Sequence, residues 1–332
     1  MQYEEVLSNI WDTVIVGGGP GGMGAALYAA RADLSTLVVE KSFIGGLIAL
    51  TTDVENYPAI DFANGMELAQ RMEAQVKKFG TEILYKEVVR IDVSAAVPGR
   101  EAEDGAHGGA PSLSPFAVNF ADGKALTART VIVACGSAPR RIPAKGEEEY
   151  YGKGVSYCAT CDGAFFRNKD IVVVGGGESA FQEGHFLTQF GKKVTLVHRR
   201  DAFRATPLAI RRARASEKWS EKLGYVVDEI YGEGVVTGVK LRNVASDAVE
   251  DMPIDGVFGF IGYDPASHFA GHLIERDADG YIVVDAKMRT TRPGIWACGD
   301  IVKGSLKQMV ISAGNGATAA IDIREWLAEH KQ

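Results

Sequence analysis

The chain has 332 residues, 46% of them apolar, four cysteines and a formal net charge of -7. Those figures allow a large core in about two domains and exclude a general nucleic-acid binder, which needs a basic surface to neutralise phosphates. No apolar run approaches the ~20 residues of a membrane helix, and Met1-Gln2-Tyr3-Glu4-Glu5 lacks the basic and apolar regions of a signal peptide, so a cytoplasmic globular protein with no membrane contact is expected.

After an acidic lead helix or tail, Thr13-Val14-Ile15-Val16 reads as a buried parallel strand that enters Gly17-Gly18-Gly19-Pro20-Gly21-Gly22 and then an alanine-rich helix to Arg31. In that context Gly17 permits the tight turn, Gly19 lets backbone approach a pyrophosphate, and Gly22 lets the helix pack on the strand. The next strand, Thr36-Leu37-Val38-Val39, ends in Glu40, eighteen residues past Gly22, where a carboxylate suits ribose hydroxyls. A glycine fingerprint alone is weak, but strand, helix and acid together predict a dinucleotide site. Residues 45–58, with Gly45, Gly46, Asn56 and Pro58, read as a loop near that nucleotide. A helix over 66–79 carries Met66, Ala69, Met72 and Val76 at core spacing, and residues 101–115 read as a solvated hairpin tip or loop without chemistry. Residues 130–136 form another strand, ending in Cys135-Gly136, before two prolines, Pro139 and Pro143, that mark a stiff connection between domains.

Next comes Cys158-Ala159-Thr160-Cys161-Asp162. A Cys-x-x-Cys pair is close enough to close a small disulfide ring that opens and re-forms with two electrons. The competing reading is a structural zinc corner, but tetrahedral zinc wants four ligands, and Cys135 and Cys298 are lone residues in apolar strand contexts. A redox pair is therefore expected, with no metal. A second strand, Asp170-Ile171-Val172-Val173-Val174, leads into Gly175-Gly176-Gly177-Glu178-Ser179-Ala180 and a helix through Phe190. Its following strand ends not in an acid but in His198-Arg199-Arg200-Asp201-Ala202-Phe203-Arg204. A carboxylate there would repel a phosphate on the ribose, whereas guanidiniums grip one, so the second nucleotide is expected to be NADPH. Arg211, Arg212 and Arg214 are read as a solvated face, and His198, disfavoured from protonation by its arginine neighbours, as a nucleotide-contacting or structural residue. Residues 218–260 look hairpin-like, and a strand ending in Cys298-Gly299-Asp300 precedes a helix over 312–329, placing Asp300 for a cofactor hydroxyl.

With these pieces in order, the chain resembles the low-molecular-weight, bacterial-type NADPH-dependent thioredoxin reductases over essentially its whole length. The marks are Gly17-x-Gly19-x-x-Gly22, Cys158-Ala159-Thr160-Cys161-Asp162, Gly175-x-Gly177-x-x-Ala180, His198-Arg199-Arg200-x-x-x-Arg204 and Ala297-Cys298-Gly299-Asp300. The resemblance implies an α/β fold of two Rossmann-like, three-layer ββα domains, the NADPH domain inserted into the FAD domain: residues 1–138 and 263–332 for FAD, 139–262 for NADPH and the cysteine pair. It implies FAD held by Gly17, Gly19, Pro20, Gly22, Glu40, Gly46, Asn56, Gly136, Gly299, Asp300 and Gln308. NADPH is implied at Gly175, Gly177, Glu178, Ser179, Ala180, His198, Arg199, Arg200 and Arg204.

Carried over by motif, Cys161 faces the flavin, Cys158 attacks the disulfide of thioredoxin, and Asp162 serves as acid and base, although Asp162 before Gly163 also suits a plain turn. The implied relay runs from NADPH through FAD to the Cys158-Cys161 disulfide and then to thioredoxin, in a homodimer whose NADPH domain rotates about residues 139–143 and 262–265. Leu47 where a glutamine is common, Lys307 for arginine and Asn315 for aspartate depart from the pattern on the FAD side, and Gly184 stands where alanine is common. The alternatives are a ferredoxin-linked flavin thioredoxin reductase, which would lack the second fingerprint and arginines, and a flavin-binding redox sensor without turnover.

Overall fold

The computed structural model describes residues 2–51, 54–94 and 115–330, so nearly all of the loop expected over 101–115 lies outside the described residues. The chain divides into two compact units, one made of Met1–Ser137 with Pro265–Gln332 and the other of Ala138–Asp264. The second unit is thus an insertion in the first.

In the first unit the strand Ile10–Val16 runs parallel to Thr36–Glu40 on one side and to Ala125–Val133 on the other. Glu82–Tyr85 extends the sheet beyond Thr36–Glu40, Ile295–Ala297 adds in parallel to Ala125–Val133, and Phe116–Phe120 and Val88–Val93 continue it antiparallel. Alternate residues feed two cores. Val14, Val16, Leu37, Val39, Val131 and Val133 pack with Phe116 and Ile282, while Ile15, Val38, Ile132 and Trp296 pack with Ala25, Ala26, Ala29, Ala319 and Ile323. A sheet covered on both faces explains why these strands are apolar without alternation.

The second core is closed by the helices Pro20–Arg31 and Met309–Glu329. They approach closely because glycine leaves room: a Cβ on Gly24 would run into the carbonyl oxygen of Ala313, and one on Gly316 into that of Gly21. The helix Gly65–Lys78 starts where the Asn64 side chain accepts from Met66 N at 2.9 Å. Its buried face is Leu68, Ala69 and Val76; Met66, expected in the core, is exposed. Stepping back by four from Val76 passes Met72 and then Leu68, so Met66 falls off the buried row.

The second unit holds an all-parallel sheet in the order Trp219–Leu223, Lys193–His198, Asp170–Gly175, Gly256–Phe260 and Val155–Ser156. Of the stretch expected to be hairpins, Trp219–Leu223 joins this parallel sheet, and Tyr225–Glu233, Val235–Asn243 and Val249–Pro253 form the antiparallel one. The helix expected to reach Phe190 ends at Leu187, where Gly191 N returns to the Leu187 carbonyl. The two crossings, Ser137–Pro139 and Tyr263–Pro265, pair with each other as a short ladder. Arg140 reinforces the inserted side of it, its guanidinium reaching Asp264 Oδ1 at 2.6 and 2.9 Å. No described helix is long and apolar enough to cross a membrane.

Candidate active site

The sequence places its redox pair on a tight corner of the second unit. The strand Val155–Ser156 ends, Cys158 caps the short helix Ala159–Asp162, and Cys161 N donates to Cys158 Sγ at 3.2 Å. The two cysteines are joined in a disulfide, with Cα atoms 5.3 Å apart. Cys161 is exposed and Cys158 half-buried. Asp162 is not a bare turn residue: its Oδ2 accepts from the buried Ser156 hydroxyl at 2.6 Å, and the same hydroxyl accepts from Cys158 N at 3.1 Å. One serine therefore ties the carboxylate to the backbone of the first cysteine. Tyr157, between them, donates to Glu147 Oε1 at 2.8 Å and accepts from Ile142 N at 2.7 Å.

In the same unit, Gly175 turns with φ +155°, and Ala180 packs close beneath it. A Cβ at Gly177 would meet nothing within 4 Å, leaving the backbone before the helix Glu178–Leu187 approachable from outside. Ser179 stands half-buried in the first turn of that helix. His198 lays its ring over Gly176, so that a Cβ there would strike it. Burial is the first cause that pushes the His198 imidazole below its ordinary value; the Ala202 carbonyl opposes this, and Arg199, Arg200 and Arg204 add to it. The effect of the arginines expected from the sequence is present, but burial is the larger cause. Arg199, Arg200 and Arg204 are exposed, and among the described residues none of the three is paired with a carboxylate, whereas Arg214 is held by Glu221 at 2.7 and 2.8 Å. Arg204 N donates to the Gly176 carbonyl at 2.9 Å, and Glu178 accepts from Thr206.

The first unit repeats this plan with opposite charge. Gly17 turns with φ +112°, and a Cβ on Gly22 would collide with the Gly17 carbonyl oxygen, so helix and strand meet as closely as glycine permits. Pro20 opens the helix, and a Cβ on Gly19 would meet nothing within 4 Å. Glu40, at the strand end, accepts from Gly18 N at 2.7 Å and from Ser42 N at 2.9 Å. Gly46 packs against Gly19, strapped there by Gly45 N on the Gly18 carbonyl at 2.8 Å; the expected loop contains a 3-10 turn over Gly46–Leu50. Gly136 has φ +63° and open space on its Cβ side. Gly299 packs on Gly21, and Asp300 accepts from Ser312 Oγ at 3.0 Å. Burial pushes the Asp300 carboxyl up, against the opposing pull of Ser312, Lys307 and Ser305. Asn56 donates to Gln308 Oε1 at 3.1 Å, joining two residues 252 apart in sequence.

These groups suit a flavin dinucleotide: approachable backbone at Gly19, acids at Glu40 and Asp300 to accept from hydroxyls, and an amide pair at Asn56 and Gln308. Of the departures, Leu47 is half-buried in its turn, Lys307 reaches the Tyr281 hydroxyl at 2.9 Å, and Asn315 is half-buried on the Met309–Glu329 helix. Sequence reasoning overlooked Ser156 and Thr206. The signals were present: a hydroxyl two residues before the first cysteine, and a Thr-Pro step opening the helix Pro207–Arg214.

The chain belongs to the pyridine nucleotide-disulphide oxidoreductases, whose family model matches residues 11–316, and membership implies use of a flavin and a nicotinamide nucleotide. Within that family its relatives are thioredoxin reductases. That of Listeria monocytogenes serovar 1/2a is 42% identical over 324 residues, covering 97% of this chain and 96% of the relative. The bifunctional thioredoxin reductase/thioredoxin of Mycobacterium leprae is 40% identical over 325 residues, covering 97% of this chain and 67% of that protein. The crystal structure of Lactococcus lactis thioredoxin reductase superposes with a TM-score of 0.88 at 36% identity, covering 96% of this chain and 99% of that one. NADPH-dependent thioredoxin-disulfide reduction by a flavoprotein is the enzymatic function these matches support, on the two-domain Rossmann-like fold expected from the motifs.

Proposed function

We propose that the outer unit holds FAD and the inserted unit holds NADPH, and that the Cys158–Cys161 pair carries electrons on to thioredoxin. The observation that carries this reading is the disulfide itself, with Asp162 tethered beside it, in the unit that also bears the open second glycine turn and three arginines without a carboxylate partner among the described residues. The residues for FAD are Gly17, Gly19, Pro20, Gly22, Glu40, Gly46, Asn56, Gly136, Gly299, Asp300 and Gln308. Those for NADPH are Gly175, Gly177, Ser179, Ala180, His198, Arg199, Arg200 and Arg204, with Glu178 acting as described below. Bound FAD supplies two-electron transfer between the nicotinamide and the disulfide.

This chain's own part is thiol chemistry. Once reduced, Cys158 attacks the thioredoxin disulfide as a thiolate, forming a mixed disulfide and releasing one thioredoxin sulfur, which takes a proton. Cys161 then attacks the Cys158 sulfur, freeing the second thioredoxin thiol and restoring the internal disulfide. Asp162 moves the protons, its carboxylate held in place by Ser156. Thioredoxin as partner accords with the Mycobacterium leprae relative, whose name joins both activities in one protein. A homodimer in the cytoplasm, with the two crossings serving as hinges, completes the reading by family analogy.

Anaerobic titration with NADPH, following flavin absorbance, and then addition of oxidised thioredoxin tests the relay. Bleaching followed by reoxidation is expected. A flavin that stays oxidised would replace this reading with a ferredoxin-linked one, and bleaching without reoxidation would point to a redox sensor.

A further inference from the structure

The segment carrying the arginines leaves the sheet at His198 and regains helix at Pro207–Arg214. Between those points it is fastened twice to the second glycine turn. Arg204 N donates to the Gly176 carbonyl at 2.9 Å, and Glu178 takes Thr206 with both oxygens, Oε2 from the backbone N–H at 2.7 Å and Oε1 from the hydroxyl at 3.0 Å. Gln182 Nε2 adds a third bond to Glu178 Oε1 at 2.9 Å.

Glu178 is the first residue of its helix, directly after the open Gly177. A carboxylate there suits the helix dipole but would repel a pyrophosphate approaching the same turn. Thr206 engages both oxygens, so the charge is spent on holding the segment. The three guanidiniums have no carboxylate partner among the described residues, so the loop backbone is what sets where their side chains start.

We propose that Glu178 is a positioning residue for nucleotide choice: through Thr206 it locks the arginine segment onto the second glycine turn and so sets the preference for a 2'-phosphorylated adenosine over an unphosphorylated one. This rests on the reading that Arg199, Arg200 and Arg204 grip the 2'-phosphate.

The test is calorimetric titration of the FAD-loaded protein with 2',5'-ADP and with 5'-AMP, comparing the ratio of the two affinities. The parent protein prefers 2',5'-ADP. Glu178→Ala narrows that ratio roughly tenfold, the scale of a lost pair of charge-assisted hydrogen bonds. Glu178→Gln, which keeps an acceptor for Thr206 N, retains most of the preference, and Thr206→Val, which removes the hydroxyl bond to Glu178 together with the cap on Ala209 N, narrows it partially. Thr206→Val also keeps the test decisive should Glu178→Ala fail to fold. An unchanged ratio in Glu178→Ala and Thr206→Val overturns the inference while leaving the phosphate grip standing. Equal losses for both ligands overturn it too, reducing Glu178 to general support of the helix. No preference in the parent protein removes the phosphate grip itself, and this inference with it.

Discussion

The Ser156 hydroxyl donates to Asp162 Oδ2 at 2.6 Å across six residues of chain, and it does so from a buried strand end. The carboxylate beside the redox pair is therefore aimed by the sheet, not by the exposed corner on which it sits.

That aim makes the thiol step separable from flavin reduction. Cys158→Ser is expected to keep FAD and its bleaching by NADPH but to abolish thioredoxin reduction. Ser156→Ala, which leaves both cysteines, is expected to slow reoxidation by thioredoxin by about tenfold, the range of one general acid or base held less well. Rapid-mixing absorbance of the flavin follows both halves, and retained turnover in Cys158→Ser would sink the assignment of that thiol.

The arginine segment predicts a nucleotide split. Replacing Arg199, Arg200 and Arg204 with neutral residues should raise the KM for NADPH by roughly a hundredfold or more, while the KM for NADH moves little, because only the former carries the phosphate. Steady-state kinetics with both nucleotides reads this directly; an unchanged ratio removes the phosphate role.

Asp300 predicts opposite effects on stability and flavin retention. Its carboxyl is raised by burial, so its contribution to stability is full below the unfolded value of about 3.9 and is lost as pH rises through the folded value. Asp300→Asn should therefore make the flavin-free protein more resistant to urea than the parent at pH 8, with little difference at pH 3, and should weaken flavin binding. Urea midpoints of the two flavin-free proteins at both pH values check the first half, and flavin fluorescence on dilution checks the second.

Asp322 behaves in the reverse sense. Burial pushes its carboxyl up, but hydrogen bonds from Arg289 at 2.5 and 2.8 Å, from Lys287 and from Trp296 Nε1 at 3.0 Å outweigh this and hold it below the usual range. Its stabilisation is present above pH ~3.9 and lost as pH falls through the lower folded value. Asp322→Asn should cost about 2 kcal/mol at neutral pH, less than a fully buried pair because both cations are partly exposed. Chemical denaturation at pH 7 measures it, and a loss within error would show the network to be neutral.

What could be read from the sequence was whatever local geometry dictates. Gly17, Gly22 and Gly175 announced their turns because only glycine tolerates the backbone angles or the close approach found there. The charge reversal was equally plain, since Glu40 is the last residue of its strand and Arg199 comes directly after His198, the last residue of the corresponding one. Partners far apart in sequence were hidden. Nothing in the neighbourhood of Asn56 points to Gln308, and nothing near Trp296 points to Asp322; such pairs exist only once the sheet has brought remote segments together. Met66 misled for a smaller reason, since an apolar residue one step off the buried row looks the same in a string of letters.

The lone cysteines bear on how the protein is assayed. Burial pushes the Cys298 thiol up to about 12, and Cys135, its Sγ donating to the Val16 carbonyl, is raised further. Neither offers a thiolate at neutral pH. A thiol-alkylating dye thus finds no rapid target in the oxidised protein and two in the reduced one, Cys158 and Cys161. Counting fast-labelling sulfurs becomes a gauge of how far the enzyme is charged with electrons, and the slow appearance of the buried Cys298 becomes a clock for unfolding of the outer unit's core.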